Sequence, residues 1–177
     1  MVTLWTIGHS TRQIDDFLAL LQEHDIAALA DVRRFPGSRR HPQFSQEALA
    51  ASLTHTGIEY VHFPELGGRR EPRKDSPNTA WRNAAFRGYA DYMMTPEFQA
   101  GIECLLALAV RSRTAIMCAE AVWWQCHRGL IADHLKAAGH EVVHIQGPHK
   151  SEPHPFTPAA RIVDGLLTYS SQPDLLS

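Results

Sequence analysis

The stretch TAIMCAEAVWWQCHRGLIADHL, residues 114–135, decides the predicted fold of this 177-residue chain. Residues 114–117 form a short apolar run, residues 118–125 form an irregular turn, and residues 126–138 carry apolar side chains at helical spacing. The stretch therefore predicts a strand, a loop and a helix in succession.

This arrangement also indicates where chemistry could occur. In a parallel sheet, Cys118 and Glu120 would lie at the carboxyl end of the strand. Cys126, His127 and Arg128 would lie in the first turn of the following helix. Free backbone N–H groups and the helix dipole favour negative charge there, so a thiol at that position is easily ionised.

The alternation of short apolar runs with amphipathic segments continues along the chain. Strands are predicted over residues 2–7, 26–32, 58–63, 114–117 and 141–145. The first predicted helix follows Ser10, which with Gln13 forms a capping-box pattern. Four more helices are predicted to begin at Ser45, near Phe86, at Thr95 and at Cys126, and a last one is predicted over residues 157–169. This order predicts an α/β fold: a mainly parallel sheet of about five strands with helices on both faces, in a Rossmann-like three-layer arrangement.

Three segments are expected to be irregular. Residues 64–80 form a loop that is long for a compact domain, residues 147–155 are rich in proline and histidine, and the tail after Tyr169 is expected to be loose.

The composition is that of an ordinary globular protein, with 44% hydrophobic residues, 20% charged residues and a formal net charge of −2. At this length we expect one domain over residues 1–177. No apolar run approaches the roughly 18 residues of a membrane span, and the N-terminal segment lacks the features of a signal peptide. We therefore expect a cytosolic protein without a membrane partner, while the cofactor and the oligomeric state stay open.

Positive charge is concentrated in residues 31–90, which hold ten of the seventeen Lys and Arg residues but only six of the nineteen Asp and Glu residues. Such clusters usually form a solvated face, but they can also collect an anionic ligand. The three cysteines do not indicate a disulfide framework. Cys104, in the apolar stretch IECLLALAV, is expected to lie in the core.

Polar and small residues collect at the carboxyl ends of the predicted strands, where ligands bind in sheets of this kind. They are His9 and Ser10, then Asp31 and Arg33, then His62, Pro64, Glu65, Gly67 and Gly68, then Cys118, Glu120, Cys126, His127 and Arg128, and last His144 or Gln146. We therefore expect one crevice at this edge of the sheet.

Five motifs in order resemble the domain of unknown function 488 family. They are TIGHS (residues 6–10), DVRRFPGSRRHPQF (31–44), LGGRR (66–70), FRGYADYM (86–93) and CAEAVWWQCHR (118–128). The resemblance covers roughly residues 3–146. It implies a compact α/β domain of bacteria and archaea without an established activity, so it supports the fold and the important loops and leaves the reaction open.

The two cysteines of the central loop allow several interpretations. Cys118 and Cys126 could be a nucleophile and its partner, a redox pair, metal ligands or simply packed thiols. The spacing C-x7-C-H is not the C-x2-4-C of structural zinc. A phosphatase loop would carry arginine six residues after the cysteine, where this chain has Trp124, so that interpretation is largely excluded.

The charged residues at this edge also have structural alternatives. Glu120 could act as a general base, orient His9, or make a purely structural hydrogen bond. His9 could contact a ligand or cap the next helix. Asp31 and Arg33 form an internal ion pair or hold a ligand. Arg128 binds an anion or pairs with Asp31 or Glu120.

A basic and aromatic rim is expected around the crevice. It comprises Arg33, Arg39, Arg69, Arg70 and Arg87 with Tyr60, Tyr89 and Tyr92. Gly67 and Gly68 allow close backbone approach, although a glycine pair alone is weak support for a nucleotide site. Trp123 and Trp124 form a stacking wall or pack the loop. His149 and His154 are expected at the surface.

Our leading hypothesis is an enzyme acting on a phosphate-bearing small molecule or nucleotide. Its ligand-binding residues are Ser10, Asp31, Arg33, Arg39, Gly67, Gly68, Tyr89 and Arg128, of which Arg33, Arg39 and Arg128 would hold the anion. Its reactive groups are His9, Cys118, Glu120, Cys126 and His127. One alternative is a non-catalytic nucleic-acid or nucleotide-binding module. Another is a metal-binding or thiol redox domain.

Overall fold

The computed structural model describes residues 1–171. Its main sheet contains β1 (Thr3–Gly8), β2 (Ala28–Asp31), β3 (Glu59–His62), β4 (Thr114–Cys118), β5 (Glu141–Gly147) and β6 (Lys150–Pro153). The helices are α1 (Ile14–Glu23), α2 (Gln46–His55), α3 (Ala84–Tyr92), α4 (Pro96–Arg111) and α5 (Arg128–Ala137). No helix among the described residues is long and apolar enough to span a bilayer.

The sheet order is β3-β2-β4-β1-β5-β6. The first five strands run parallel, and β6 pairs antiparallel with β5. The predicted α/β class and parallel sheet are confirmed, with one strand more than the expected five. β4 (Thr114–Cys118) lies between β2 and β1 although both precede it by long stretches of the chain, β2 ending at Asp31 and β1 at Gly8. All five of its residues are buried, as expected for a strand covered on both faces.

Two hydrophobic clusters make the three layers. On one face, α1 and α2 pack Phe17, Leu21 and Leu49 against strand residues such as Ile7 and Met117. On the other face, α3, α4 and α5 pack against the opposite side of the same strands, and both Cys118 and Cys126 belong to this second cluster. The helices thus cover both faces of the sheet, as predicted.

Local capping explains several helix boundaries. The Ser45 hydroxyl accepts a hydrogen bond from Ala48 N at 3.4 Å, and the Thr95 hydroxyl accepts one from Phe98 N at 3.3 Å before Pro96 begins α4. The predicted capping box of Ser10 and Gln13 is wrong. Ser10 instead adopts a left-handed φ of 49°, and α1 begins at Ile14 after Gln13, which makes no side-chain cap.

The predicted C-terminal helix over residues 157–169 is also wrong. Strands β7 (Arg161–Val163) and β8 (Leu166–Thr168) form an antiparallel hairpin there. Asp164 and Gly165, at φ 52° and 78°, make the two-residue turn, and Asp-Gly is a preferred sequence for such turns. The apolar spacing that suggested a helix reflects two short strands on either side of this turn.

Three smaller expectations also fail. The loop predicted over residues 147–155 contains β6, because its backbone pairs with the edge of β5. Cys104 is exposed, since the buried stripe of α4 runs through Phe98, Ile102 and Leu105. His154 is buried, with 2% of its surface exposed. The tail that was expected to be loose lies, from residue 172 onward, outside the described residues.

Candidate functional site

The ends of three neighbouring strands form the base of the site. Gly8 of β1 is in register with Cys118 of β4, and Asp31 of β2 is in register with Met117. Backbone hydrogen bonds continue past the strand ends, from His9 N to the Cys118 carbonyl at 2.9 Å and from Val32 N to the Met117 carbonyl at 3.0 Å. The loops that follow these strands are therefore held together, as the parallel sheet predicted.

A cavity of about 360 Å³ opens above these loops, and we call it the thiol cavity. Seven of the residues singled out in the sequence line it: Arg33, Gly68, Tyr89, Cys118, Glu120, Cys126 and His127. Arg69, which was expected on the rim of the crevice, also lines the cavity. The structure adds lining residues that sequence reasoning did not place there: Arg34, Phe35, Ala85, Phe86, Ala119 and Gln125.

The two thiols form a coupled pair within the wall of this cavity. Burial and the neighbouring Cys126 raise the pKa of Cys118. Burial alone would raise the pKa of Cys126, but the hydrogen bond from the Cys118 thiol and the charge of Arg128 outweigh it, so the pKa of Cys126 is lowered. The thiol of Cys126 is therefore the more readily ionised of the two.

His127 lies beside this pair. Its Nε2–H donates to the Val32 carbonyl at 2.9 Å, which leaves Nδ1 as an acceptor 3.5 Å from Cys126 Sγ. Burial lowers the pKa of His127, so the ring is held neutral. A β-carbon on Gly68 would lie 3.0 Å from His127 Nδ1, so a glycine at this position lets the loop approach the imidazole.

Arg128 is almost fully buried, with 1% exposed, and lies behind the thiols. Its Nε donates to Cys118 Sγ at 3.0 Å, its Nη1 donates to Thr6 Oγ1 at 3.0 Å, and its Nη2 donates to the Glu120 carbonyl at 2.9 Å. The alternative of an ion pair with Asp31 or Glu120 is wrong. Among the residues that the structure describes, no carboxylate lies within 4.0 Å of this guanidinium.

A chain of buried hydrogen bonds connects Arg128 to Asp133. Thr6 Oγ1 lies 2.5 Å from His144 Nδ1, and His144 Nε2 lies 2.8 Å from His154 Nδ1. His154 Nε2 donates to Asp133 Oδ1 at 2.7 Å. Because the carboxylate oxygen accepts, Nε2 of His154 is the donor at this end of the chain. Burial and the neighbouring His154 lower the pKa of His144 to about 2, so this ring is neutral.

Asp31 and Arg33 form the internal ion pair that was one of their two interpretations. Arg33 Nη2 lies 2.8 Å from Asp31 Oδ2 and Nε lies 2.9 Å from Oδ1, which is a two-point contact. The Tyr60 hydroxyl donates to the same carboxylate at 2.5 Å, and burial together with this hydrogen bond raises the pKa of Tyr60. Both carboxylate oxygens of Asp31 thus accept hydrogen bonds from Arg33 or Tyr60, while Arg33 also lines the cavity.

His9 contacts the guanidinium of Arg33 and does not line the thiol cavity. Its ring stacks on Phe44 with centroids 4.5 Å apart, its Nδ1 lies 2.9 Å from the Ser10 carbonyl, and its Nε2 lies 3.4 Å from Arg33 Nη1. Burial lowers the pKa of His9 to about 4. An orienting contact with Glu120, considered from the sequence, does not form part of these interactions.

Three further residues expected at the site lie elsewhere. Ser10 takes up a left-handed turn, Arg39 is exposed on the loop after β2, and Gly67 packs where a β-carbon would approach Arg34 Cα to 2.6 Å. Glu120 does face the cavity and is exposed. Within residues 1–171, no group of three or more histidine, cysteine and acidic side chains is placed to hold a metal ion.

Comparison with known proteins gives one match. The family described as "Domain of unknown function DUF488" matches residues 13–135, which include the thiol pair and most of the cavity wall. No curated protein and no solved structure matches the chain.

Proposed function

The chain belongs to the domain of unknown function DUF488 family, and from the geometry of its own site we propose that it is a thiol-dependent enzyme acting on a phosphate-bearing small molecule. One observation carries this proposal. A thiol with a lowered pKa lines a cavity whose other walls hold three arginines, Arg33, Arg34 and Arg69. A thiolate is the nucleophilic form of cysteine, and arginines are well suited to bind phosphate.

In this proposal Cys126 is the nucleophile. Its thiolate forms a bond to an electrophilic carbon of the substrate, and the bonding electron pair of the leaving group departs with that group. When Cys126 is protonated, Nδ1 of His127 accepts its proton at 3.5 Å. Arg128 and the Cys118 thiol hold the negative charge on sulfur before attack. These contacts make Cys118 and Arg128 positioning residues.

Glu120 is assigned to the second half of the reaction. Its carboxylate is exposed at the cavity wall and is free to take a proton from an attacking water molecule. The hydroxide adds to the carbon bound to sulfur, the S–C bond breaks, and its electron pair returns to Cys126 as the thiolate. Arg33, Arg34 and Arg69 hold the substrate phosphate throughout.

The first test measures the reactivity of the thiols. In a Cys104→Ser background, which removes the exposed cysteine, we expect iodoacetamide to alkylate Cys126 at pH values below those that ionise an ordinary thiol. Peptide mass spectrometry assigns the modified residue at each pH. Alkylation of Cys118 before Cys126, or a midpoint for Cys126 at or above that of a free cysteine peptide, would contradict the proposal.

The second test searches for the covalent intermediate. The same background protein is incubated with a pool of phosphorylated metabolites, and its intact mass is measured. We expect an adduct that accumulates in Glu120→Gln, because hydrolysis is slowed, and that is absent in Cys126→Ser. An adduct of equal yield in Cys126→Ser, in protein with native circular dichroism, would refute the role of this thiol.

A second candidate function, nucleic-acid or nucleotide binding without catalysis, is supported by one exposed feature. The Phe35 ring is 65% exposed, and the guanidinium groups of Arg34 and Arg69 lie 5.4 and 6.0 Å from its centroid. An aromatic ring between cations suits a stacked base beside a phosphate. This candidate predicts an affinity for single-stranded oligonucleotides that falls steeply with salt. An affinity independent of salt would reject it.

The third candidate, a thiol redox domain, is supported by the position of Cys118 and Cys126 in the wall of one cavity. Oxidation of both thiols to a disulfide would remove two protons and two electrons and would require an external disulfide as the acceptor. Incubation with oxidised glutathione followed by thiol titration tests it. A Cys118–Cys126 disulfide would support this candidate, and stable mixed disulfides alone would reject it.

A further inference from the structure

A second cavity, of about 190 Å³, lies beside the thiol cavity on the other side of Arg128, and we call it the arginine cavity. It opens between the ends of β1 and β5 and the turn at Trp123. Its lining residues are Arg12, Ala121, Val122, Trp123, Trp124, Arg128, His144, Ile145, Gln146 and Lys150. Three of these side chains are cationic and none is acidic.

The two arginines lack a carboxylate partner. Among the described residues, no acidic oxygen lies within 4.0 Å of the guanidinium nitrogens of Arg12 or Arg128. Burial, and then the like charge of Arg128, lower the pKa of Arg12, and the negative charge of Asp16 offsets these effects only in part. Two partly desolvated cations that repel each other are unfavourable unless an anion neutralises them.

Both guanidinium groups are held in place by neutral acceptors. Arg12 Nε donates to the Gly8 carbonyl at 3.2 Å, and its Nη2 donates to the Gln146 carbonyl at 3.1 Å. Arg128 uses three nitrogens on a thiol, a hydroxyl and two carbonyls. Guanidinium has five N–H donors, so Arg12 retains Nη1 and Arg128 retains one N–H for a further acceptor. The donors are thus preorganised without their charge being cancelled.

The nearby acidic side chains lie outside the cavity. Asp16 acts on Arg12 from beyond 4.0 Å and does not line the cavity. Glu152, on β6, does not line the cavity, and its Oε1 already accepts hydrogen bonds from Trp123 Nε1 at 2.9 Å and Gln146 Nε2 at 2.7 Å. His144 in the wall is neutral, and its ring stacks on Trp123 with centroids 4.7 Å apart. The lining side chains other than the three cationic ones therefore carry no charge.

We propose that the arginine cavity is a second binding site, for a small oxyanion such as phosphate. Its volume lies below the roughly 300–1,000 Å³ of cavities that hold drug-sized ligands, so it fits an oxyanion group and excludes a whole nucleotide. Arg12 and Arg128 donate to the oxyanion, and Lys150 contributes a third positive charge at the mouth. This site is separate from the thiol cavity and does not depend on the proposed thiol chemistry.

The test is a calorimetric titration of the full chain with inorganic phosphate. We expect a saturable site whose affinity falls about tenfold or more in Arg12→Gln, since a charge-assisted hydrogen bond is removed, and severalfold in the exposed variant Lys150→Gln. The matched control is Arg113→Gln, which removes an exposed arginine outside both cavities and should leave this site within about twofold. Circular dichroism checks that each variant is folded.

The source of the oxyanion is tested with adenosine monophosphate. We expect free phosphate to bind this site more tightly, because the nucleoside does not fit. Tighter binding of the nucleotide that Arg12→Gln abolishes would overturn the size argument. The site itself is rejected if the wild-type chain shows no saturable phosphate binding, or if Arg12→Gln and Lys150→Gln bind phosphate as the wild type does. Neither result bears on the alkylation of Cys126.

Discussion

Arg128 separates the two cavities, and its position depends on Gly8. A β-carbon on Gly8 would lie 1.6 Å from the Glu120 carbonyl oxygen and 3.0 Å from Arg128 Nη2. The absence of a side chain at Gly8 therefore lets the loop after β4 close onto β1. This closure puts the Glu120 carbonyl within 2.9 Å of the guanidinium.

We expect Gly8→Ala to destabilise the protein by about 1–3 kcal/mol, because the backbone at residue 120 must move to relieve the clash. For a chain of this size that corresponds to a fall in Tm of roughly 2–10 °C. Gly37→Ala is the matched control, since its β-carbon would meet no atom within 4 Å. Equal Tm values for the two variants in a thermal melt would contradict this account.

Arg128→Lys tests the electrostatic role of the same side chain. Lysine keeps the charge but cannot reach Cys118, Thr6 and two carbonyls at once. We expect the pH midpoint for alkylation of Cys126 to rise by about one unit in the Cys104→Ser background. Arg113→Lys, far from the thiols over the Trp5 ring, serves as the control. An unchanged midpoint in folded Arg128→Lys protein would remove Arg128 from the proposal.

At the scale of elements, Asp133 joins α5 to the C-terminal segment. Its carboxylate accepts from the Thr157 backbone at 2.8 Å, from the Thr157 hydroxyl at 2.5 Å and from the Tyr169 hydroxyl at 2.7 Å, besides His154. All of these groups are buried. The β7–β8 hairpin lies between Thr157 and Tyr169, so both of its ends are fixed to one helix.

We expect Asp133→Asn to destabilise the protein by about 2–4 kcal/mol, because an amide cannot accept all four hydrogen bonds and loses the charge that strengthens them. Denaturant unfolding measures the change. Asp164→Asn, in the exposed hairpin turn, is the control and should stay within about 0.5 kcal/mol of the wild type. A similar small effect at Asp133 would show that this carboxylate does not hold the segment.

At the scale of the whole molecule, buried neutral histidines link stability to pH. Burial lowers the pKa of His9 to about 4 and that of His144 to about 2, whereas both titrate near 6.5 in an unfolded chain. Below pH 6.5 the unfolded state binds protons that the folded state does not. The stabilisation is therefore complete above pH 6.5 and is lost progressively as the pH falls toward 4.

We expect His144→Gln to reduce the loss of unfolding free energy between pH 6.5 and 4, by on the order of 2–3 kcal/mol, because glutamine does not take up a proton. Urea unfolding at several pH values gives the slope. His55→Gln, an exposed histidine at the end of α2, should leave that slope unchanged. A slope in His144→Gln as steep as that of the wild type would contradict the assignment.

The sequence predicted the elements whose signals are local. Apolar runs identified β1 to β5, proline after threonine identified the start of α4, and the order of elements required a parallel sheet whose loops meet at the strand ends. The Asp164–Gly165 turn also has a local signal, the Asp-Gly pair, but the apolar residues on either side of it have the spacing of a helix.

What the sequence by itself determined is the α/β class, the parallel sheet and the loops that meet at the ends of its strands, among them the Cys118 to Arg128 segment. Only the tertiary structure decided which polar groups are paired with each other. It paired Asp31 with Arg33, left Arg128 with no carboxylate within 4.0 Å among residues 1–171, buried His154 against Asp133 and divided the expected crevice into two cavities. Hydrophobic periodicity is a local property of the chain, whereas partners such as Thr6 and His144 are 138 residues apart and meet only when the strands pair.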